Sequence, residues 1–589
     1  MIMRHIGLPL IAVLALTGFA CAAGVGARTV DLRITVNRNS VREGGTVVIT
    51  ALITPPKSGT SNSVANTELW PYLNGKQWGA AEKTDRRGRA KFMIPLPNVG
   101  TARIQVAARQ PLGVIFPVGQ PLPAGSPASN IVEVRVLARK FTVPVHRRHL
   151  IGIEYEPWFT PLEMTWNTAE AIPLLGKYDS ANSSVIRQQA LWLDTIGINY
   201  ILVDWTGNVF GKTDWSQRPQ SQRQIIHATT VLLKTYAVMR REGIPAPEVA
   251  LLLGLDNGPS TMSTTTAINE EMAWIDKHYI KNPRFVRLWL NYRKKPLIVI
   301  FNGAGPHVLL GKPPVSLRYF TVRWMGGQLQ ILSQLARSGY WSWMDGAIAP
   351  VPVFNHGKCE ALTITPAFFS NGGWLRRSAR GRLNGATYLR EFHTALKYRP
   401  HFLTICQWNE FAGQLTGHSY NPGHHLYEDS YDPSLSNDIE PTSLTAYGYR
   451  GSGGWGFYYL NLTRACINLY RQKVPQTTIL AIDSPHRGQV VKTPGITVRW
   501  ACVGKAPTGF TLRLDGKVVA RHIPPSRRAY TVDLRGAAPG RNTLTLHADG
   551  AVSRFEISYA HESRRLAQPI STVAQLVFIL SGKLGSAKH

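Results

Sequence analysis

A series of apolar runs, each ending in a polar residue, most constrains the fold of this chain. The runs end at Asp204, Asp256, Asn302 and Glu410. Strands that are buried on both faces of a parallel sheet are apolar throughout and carry polar residues only at their carboxyl ends. The pattern therefore predicts an α/β fold, a (β/α)8 barrel, over residues 150–475.

Segments with a helical period of apolar residues separate the first of these runs. One such stripe is followed by Gly197, a residue that commonly ends helices; its members are Val185, Gln189, Trp192 and Ile196. Further candidate strands bring the strand count near eight; they cover residues 319–323, 346–349 and 362–365. The alternation of strands and helices is that of successive βα units.

Two regions with a different pattern flank the predicted barrel. Residues 28–140 and 480–560 contain short runs that alternate apolar and polar side chains, separated by turn signals such as Asn74-Gly75 and Asp515-Gly516. A period of two is typical of half-buried strands. We therefore predict two all-β immunoglobulin-like sandwich domains, one on each side of the barrel. Residues 561–589 are predicted to be a tail.

The amino terminus has the pattern of an export signal. Residues 1–23 contain a basic residue, an apolar run and then the small residues Ala20-Cys-Ala-Ala23. This pattern predicts a cleaved signal peptide and a secreted or periplasmic protein. Lipid anchoring through Cys21 is the second interpretation, because Gly18 stands where a lipoprotein signal usually has Leu. Later apolar runs are too short to span a bilayer, so no integral membrane segment is predicted in the mature chain.

The charge balance is strongly basic. The chain has 66 Lys and Arg residues against 35 Asp and Glu residues, a formal net charge of +31. These charges are scattered rather than gathered in dense basic runs with interleaved aromatic residues, and the export signal argues against intracellular nucleic acid. We predict no nucleic-acid partner and leave attraction to an acidic polysaccharide or the cell envelope open.

The sequence predicts neither a metal nor a cofactor. Residues 427–438 are rich in oxygen donors but lack the ordered spacing of a calcium loop. Four cysteines remain after the signal segment and have no paired, metal-type spacing, which indicates isolated thiols; they are Cys359, Cys406, Cys466 and Cys502.

Aromatic residues near acidic strand ends point to carbohydrate chemistry. Aromatic faces stack on sugar rings, and carboxyl groups perform the acid and base steps of glycoside cleavage. Glu410 is the first candidate for catalysis, with a buried ion pair as its alternative role. The predicted substrate-binding residues are Glu156, Trp158, Asp204, Trp205, Asp256, Asn302, Trp408 and Asn409. The alternative role of the indoles is to fill a core, and that of the strand-end acids is to hold neighbouring loops.

Several motifs together, in their order and spacing, resemble one family of carbohydrate enzymes. The motifs are Glu156-Pro-Trp-Phe159, residues 175–182, Gly197 to Trp205, Lys295 to Ile300, and Trp408-Asn-Glu-Phe411. They resemble the glycoside hydrolase family 99 and 71-like barrels, which include endo-α-mannosidases and endo-α-mannanases. The resemblance covers about residues 151–470.

The resemblance carries over part of a catalytic site. In family 99 a strand-end Asn-Glu-Trp is followed by a second catalytic Glu and then by Ile-Glu-Pro. Glu410 matches the first Glu, Gly413 stands at the second position, and Asp438-Ile-Glu-Pro441 resembles the third element, displaced by residues 415–437. The resemblance implies net retention, with Glu410 as a base that acts through the sugar 2-hydroxyl. The acid candidates are Glu440, Glu428, Glu156, Asp204 and Asp256.

The sequence thus predicts a secreted glycoside hydrolase that is endo-acting on an α-linked polysaccharide such as mannan. Glu410 and Glu440 are its predicted catalytic residues. The alternative is a non-catalytic carbohydrate-binding or cell-envelope scaffold protein with a degenerate barrel site, which Gly413 favours. The predicted partner is a polysaccharide or glycan, and no oligomeric state is predicted.

Overall fold

The computed structural model contains three regions that follow one another along the chain: a β-rich region, a barrel and a second β-rich region. It describes residues 31–54, 64–108, 118–141, 148–159, 166, 169–206, 220–256, 264–302, 312, 314–327, 336–368, 380–412, 433–448, 453–486 and 488–560. Among these, no helix has the length and apolar character needed to cross a membrane.

The first region consists of two sheets that share one core. Side chains alternate between buried and exposed along the strands, as in Asp31–Val36, where Leu32 and Ile34 are buried. The three-stranded sheet contains Asp31–Val36, Thr46–Thr54 and Arg89–Pro95 in that order. The six-stranded sheet contains Ser40–Arg42, Val132–Leu137, Gly100–Ala107, Glu68–Leu73, Lys76–Gln77 and Glu82–Lys83. The immunoglobulin-like class stays a prediction for this region.

Eight parallel strands form the central barrel, and we number them in chain order. They are Leu150–Tyr155, Tyr200–Trp205, Glu248–Asp256, Lys295–Asn302, Thr321–Gly326, Trp341–Ser342, Lys358–Ile364 and Phe402–Ile405. The first strand pairs with the second and also with the eighth, which closes that side of the barrel. Strands six and seven share no ladder, but the Thr363 hydroxyl donates to the Ser342 carbonyl between them. The barrel is therefore nearly closed.

Two antiparallel strands extend this sheet to ten strands. Asn291–Tyr292 pairs with the fourth barrel strand, and Val353–Asn355 pairs with the seventh. The strand predicted at residues 346–349 is wrong, because that segment is a bend and the sixth strand is Trp341–Ser342 instead. The sixth strand pairs with the fifth through Met325 and Trp341. The position of the sixth strand is therefore decided by its pairing with the fifth strand rather than by a local sequence pattern.

Helices pack on the outside of the barrel. Within the described ranges, helices follow the first, second, third, seventh and eighth strands; they are Ser183–Ile196, Gln220–Arg241, Thr265–Ile275, Ala386–Tyr398 and Tyr458–Arg471. The third continues as a π-helical turn, Asp276–Ile280, and a 3₁₀ turn, Leu383–Gly385, precedes the fourth. The structure thus contains a nearly closed parallel barrel with outer helices, and the complete (β/α)8 barrel stays a prediction, because a set of eight helices is not among the described residues.

Alternation along the barrel strands separates an inner core from an outer core. Leu202, Leu252 and Phe402 belong to the inner cluster, whereas Ile151 and Val203 belong to the cluster shared with the helices. Because successive strand residues point to opposite faces, Glu154 and Asp204 share the inward orientation of Leu202.

A glycine on the first strand makes room inside the barrel. A Cβ atom at Gly152 would lie 2.0 Å from the Tyr200 ring. The Tyr200 hydroxyl can then reach the Thr404 hydroxyl, at 2.9 Å, across the interior. Any larger residue at position 152 would push this ring out of place.

The last region also consists of two sheets, and it has a core of its own. Trp500 and Phe510 pack in that core with ring centroids 5.2 Å apart. The three-stranded sheet is Thr478–Ser484, Gly495–Gly504 and Ala529–Asp533. The five-stranded sheet is Val490–Val491, Ala551–Tyr559, Gly540–Ala548, Phe510–Leu514 and Lys517–Ile523. Here too the immunoglobulin-like class stays a prediction.

Candidate active site

Two segments that are distant in sequence meet beyond the eighth strand. The Trp408 carbonyl accepts hydrogen bonds from the amides of Ile439 and Glu440, at 3.1 and 2.9 Å, and Gln407 N donates to Asn437 O at 3.2 Å. The structure therefore brings Asp438-Ile-Glu-Pro441 beside Trp408-Asn-Glu. Gly413 and Glu428, between the two segments, lie outside the described residues.

Glu410 is the least buried residue in the segment from Gln407 to Phe411. It is 7% exposed, whereas Gln407, Trp408, Asn409 and Phe411 are 0% exposed. Gln407 Nε2 donates to Glu410 Oε2, and the Glu410 backbone amide donates to Asp438 Oδ1. Glu410 is thus held at both its backbone and its carboxyl group.

Asp438 is itself held by a buried cation and a second carboxyl group. The Arg382 guanidinium lies between the rings of Trp455 and Tyr459, 3.9 and 4.0 Å from their centroids, and donates to the Asp438 carbonyl at 2.6 Å. Burial raises the pKa of Asp438, and a hydrogen bond with the Glu170 side chain opposes that rise.

Asn409 joins the ends of the eighth and first strands. Its Oδ1 accepts from the Glu156 amide at 2.8 Å, and its Nδ2 donates to the Glu156 carbonyl at 3.0 Å and to the Tyr178 hydroxyl at 3.1 Å. Its amide is therefore engaged within the protein. The sugar-binding role of Asn409 stays a prediction, and these contacts favour a positioning role.

Glu440, the second predicted catalytic residue, lies in a buried network outside the barrel wall. Tyr178 donates to its Oε2 at 2.7 Å and Gln189 donates to its Oε1 at 3.0 Å, while the Tyr155 hydroxyl donates to Gln189 at 2.7 Å. The pKa of Glu440 is raised to about 8. Burial causes this rise, and the hydrogen bonds from Tyr178 and Gln189 oppose it. The catalytic role of Glu440 stays a prediction, and this location favours a structural role in which Glu440 supports the candidate site.

The mouth of the barrel holds a pair of interacting carboxyl groups. Glu154 is 1% exposed and Asp204 is 8% exposed. Burial raises the pKa of Glu154 well above its usual range; hydrogen bonds from Cys406 and Trp343 lower it, and the charge of Asp204 raises it. Burial also raises the pKa of Asp204 to about 6. Two such groups on adjacent strands are suited to hold and transfer a proton.

Glu154 is not among the site residues predicted above, although the sequence carries a signal for it. In Ile151-Gly-Ile-Glu-Tyr-Glu156 the period of two places Gly152, Glu154 and Glu156 on one face of the strand. The closeness of Glu154 to Asp204 was hidden, because it depends on the register of the two strands, in which Glu154 stands opposite Leu202.

The other predicted site residues have different surroundings. Glu156 is buried at the end of the first strand, and Asn302 donates to the Tyr340 hydroxyl at 3.0 Å. Trp158 is half-buried and donates to the Ala412 carbonyl at 3.2 Å, next to the Glu410 segment. The side chain of Asp256 lies outside what the structure describes. Trp158 is therefore in contact with the Glu410 segment, and its sugar-binding role stays a prediction.

Two of the predicted tryptophans pack against the outer helices. Trp205 is fully buried and donates to the Thr229 hydroxyl at 2.9 Å, on the helix Gln220–Arg241. Trp408 is also fully buried, with its ring centroid 6.5 Å from that of Trp192. Their sugar-binding roles stay predictions, and their positions favour core packing, the alternative that the sequence left open.

Metal ligands and disulfides do not feature in the described part of the chain. No group of three or more His, Cys, Asp or Glu side chains there is arranged to hold a metal ion. The four cysteines that the structure describes are free thiols, and Cys406 and Cys466 are buried.

Comparisons with known proteins give distant structural similarity. Neither protein-family models nor curated proteins match the chain. It is similar to the GH99 endo-alpha-mannosidase from Bacteroides thetaiotaomicron, with 16% identity over 55% of this chain and 98% of that chain and a TM-score of 0.38. The endo-beta-1,4-mannanase from Thermotoga petrophila is similar with 9% identity, coverages of 71% and 99%, and a TM-score of 0.34. The beta-glucuronidase of Bacteroides uniformis is similar with 9% identity over 90% of this chain and 61% of that chain, and with a TM-score of 0.24.

Proposed function

We propose that this protein is a glycoside hydrolase that cleaves an α-linked polysaccharide such as mannan within the chain. The observation that carries the proposal is the set of carboxyl groups at the carboxyl ends of the barrel strands. Glu410 follows the eighth strand, and Glu154 and Asp204 lie on the inward faces of the first and second strands. This end of a parallel barrel is where catalytic groups collect.

The order of the strands supports a pair of carboxyl groups on opposite sides of one strand. The second and eighth strands both pair with the first, so they are two strand spacings apart, roughly 10 Å. Side chains from such positions can approach the separations of about 5–10 Å that glycoside hydrolysis uses. Glu410 and Asp204 are therefore our proposed pair, in place of Glu410 and Glu440.

The two groups have different proposed roles. Asp204, buried and coupled to Glu154, gives a proton to the glycosidic oxygen as the bond from that oxygen to the anomeric carbon breaks. Glu410 removes a proton from the attacking hydroxyl, either that of water or the 2-hydroxyl of the sugar. A raised pKa on one carboxyl group and an ionised second group is the arrangement that lets both steps occur near neutral pH. Half-buried Trp158 offers a face for stacking on a sugar ring.

The finer assignments are part of this proposal. The cyclic order of the eight strands supports a (β/α)8 barrel, and the motifs quoted above support a relationship to families 99 and 71. The two-sheet regions on either side are proposed to be immunoglobulin-like. Residues 1–23 are proposed to direct export, so that the enzyme meets its polysaccharide outside the cytoplasm.

Two single substitutions test the proposed pair. Glu410→Gln and Asp204→Asn should each lower the release of reducing ends from α-mannan by about 10²–10⁴-fold, because each removes one proton-transfer group. Glu133→Gln, on the exposed surface of the first region, is the matched control and should retain full activity. Thermal unfolding of each variant shows whether the fold is kept. Full activity of folded Glu410→Gln would overturn the proposal.

One observation favours a binding protein as the second candidate. Gly413 stands where family 99 has its second catalytic Glu, and Glu440 is enclosed by Tyr178 and Gln189. A protein of this kind would bind α-mannan without releasing any reducing ends, and Glu410→Gln would leave its affinity unchanged. Wild-type protein assayed for both binding and release distinguishes the two candidates.

A further inference from the structure

The outer face of the five-stranded sheet in the last region carries a row of basic and hydroxyl side chains. Strand register places Arg513 opposite Thr545, and Thr545 opposite Arg554, on three neighbouring strands. The adjacent residues Leu512 and Leu546 point into the core. Because side chains alternate along a strand, the Arg-Thr-Arg row points away from that core.

The rest of this face has the same character. Thr511 stands opposite His547, and Arg541 and Thr543 share the outward orientation. Burial lowers the pKa of His547, and the nearby Arg513 lowers it further.

One acid lies among the outward positions of these strands. It is Glu556, whose Oε2 is 3.5 Å from Arg541 Nε. At the ends of the strands, Asp515 accepts from the Thr543 amide and Asp549 accepts from Thr508, so these carboxylates are engaged in turns. The face therefore keeps a positive excess around Arg513 and Arg554.

Among the described residues, the barrel packs on the opposite sheet rather than on this face. The barrel helix Ala386–Tyr398 packs on the other, three-stranded sheet, where Arg390 forms an ion pair with Asp483. On the five-stranded sheet, Arg541 and Arg554 are exposed.

We propose that this face binds an acidic polysaccharide, a linear sugar polymer that carries carboxylate groups. Guanidinium groups bind carboxylates through paired hydrogen bonds, and threonine hydroxyls can exchange hydrogen bonds with sugar hydroxyls. Arg513 and Arg554 are two strand spacings apart, roughly 10 Å, so one extended chain can contact both across an open sheet. The face would attach the protein to an anionic polymer, and this proposal does not depend on the hydrolase activity.

A paired variant tests the face in the full-length protein, with polygalacturonate as the probe. Arg513→Ser combined with Arg554→Ser should weaken binding at least about tenfold, a loss expected from removing two charge-assisted contacts. The matched control, Arg33→Ser with Arg103→Ser, removes the same charge from exposed sites in the first region and should change the affinity less than about twofold.

Further arms separate a specific face from general attraction. Arg513→Lys with Arg554→Lys keeps the charge and removes the guanidinium forks, so binding should fall to an intermediate level. The affinity for polygalacturonate should decrease as the salt concentration increases. The binding of neutral α-mannan should not depend on Arg513 or Arg554. Equal weakening in the Ser variant and its control would overturn the proposal in favour of net charge alone. Absence of wild-type binding at low salt, or tighter binding of duplex DNA by the same face, would also overturn it.

Discussion

At the scale of single residues, the candidate site is organised through backbone atoms as much as through carboxyl groups. Asp438 holds the amide of Glu410, and Asn409 holds both backbone polar groups of Glu156. Arg382 in turn holds the segment that contains Asp438. Buried polar groups that are satisfied in this way resist displacement, because each lost partner leaves a costly unsatisfied group.

Replacing Asp438 tests this arrangement. Asp438→Ala should lower the free energy of unfolding by about 1–3 kcal/mol, since it leaves the Glu410 amide without its acceptor. Asp438→Asn keeps an oxygen at the same place and should cost less. Urea unfolding measures both values, and hydrogen exchange at the Glu410 amide should quicken only in Asp438→Ala. Equal stability losses in the two variants would contradict this role of Asp438.

At the scale of elements, the helix Ser183–Ile196 links the first region to the candidate site. Gln189 on this helix holds Glu440, and Arg187 forms an ion pair with Glu43 of the first region. The helix begins at Asn182, whose side chain accepts from the amides of Ser184 and Val185. Side-chain capping by Asn182 therefore sets the amino-terminal end of this helix. Its buried side contacts both the first region and the candidate site.

Loss of the cap should weaken this link. Asn182→Ala should lower the free energy of unfolding by about 1 kcal/mol, and Asn182→Ser should restore most of it, because serine also caps helices. Chemical denaturation of the two variants gives the comparison. Asn98→Ala, at an exposed site outside a helix, is the control and should have little effect. A loss as large in Asn182→Ser as in Asn182→Ala would argue against capping.

At the scale of the whole molecule, the first region is docked on the segment that follows Glu440. Glu82 accepts hydrogen bonds from the hydroxyls of Ser443, at 2.6 Å, and Thr445. Burial raises the pKa of Glu82 from 4.5 to about 8, and the Ser443 hydrogen bond lowers it. The folded protein thus favours the protonated form of Glu82. The stability that this preference adds to the fold is fully present below pH 4.5 and is lost as the pH rises through about 8.

Glu82→Gln should remove this pH dependence, because glutamine resembles the protonated acid. The unfolding temperature of the variant should exceed that of the wild type increasingly as the pH rises from about 5 to about 9. The pKa of Glu440 is also raised, and its effect is present in both proteins. The quantity to measure is therefore the difference in unfolding temperature between Glu82→Gln and the wild type at each pH. Glu133→Gln should follow the wild type. Parallel curves for Glu82→Gln and wild type would contradict the burial effect.

Local patterns in the sequence were sufficient to predict much of the fold. The helical stripe that includes Val185, Gln189 and Trp192 is buried as predicted, and Gly197 ends that helix with φ 89°. The polar ends of the apolar runs coincide with the ends of the second, third and fourth strands. These features depend on residues within a few positions of each other, so periods of 3.6 and 2 reveal them.

The tertiary structure alone decided which side chains meet. It set Glu154 beside Asp204, placed Trp205 against the outer helices, and brought Asp438 to the amide of Glu410 across 28 residues. These contacts depend on strand register and on packing among distant segments, neither of which leaves a local period. For this protein the sequence by itself determined the strands that carry Asp204, Asp256 and Asn302 and the helix that ends at Gly197. Packing placed the sixth strand and decided which acids share a site, because these depend on contacts between distant segments.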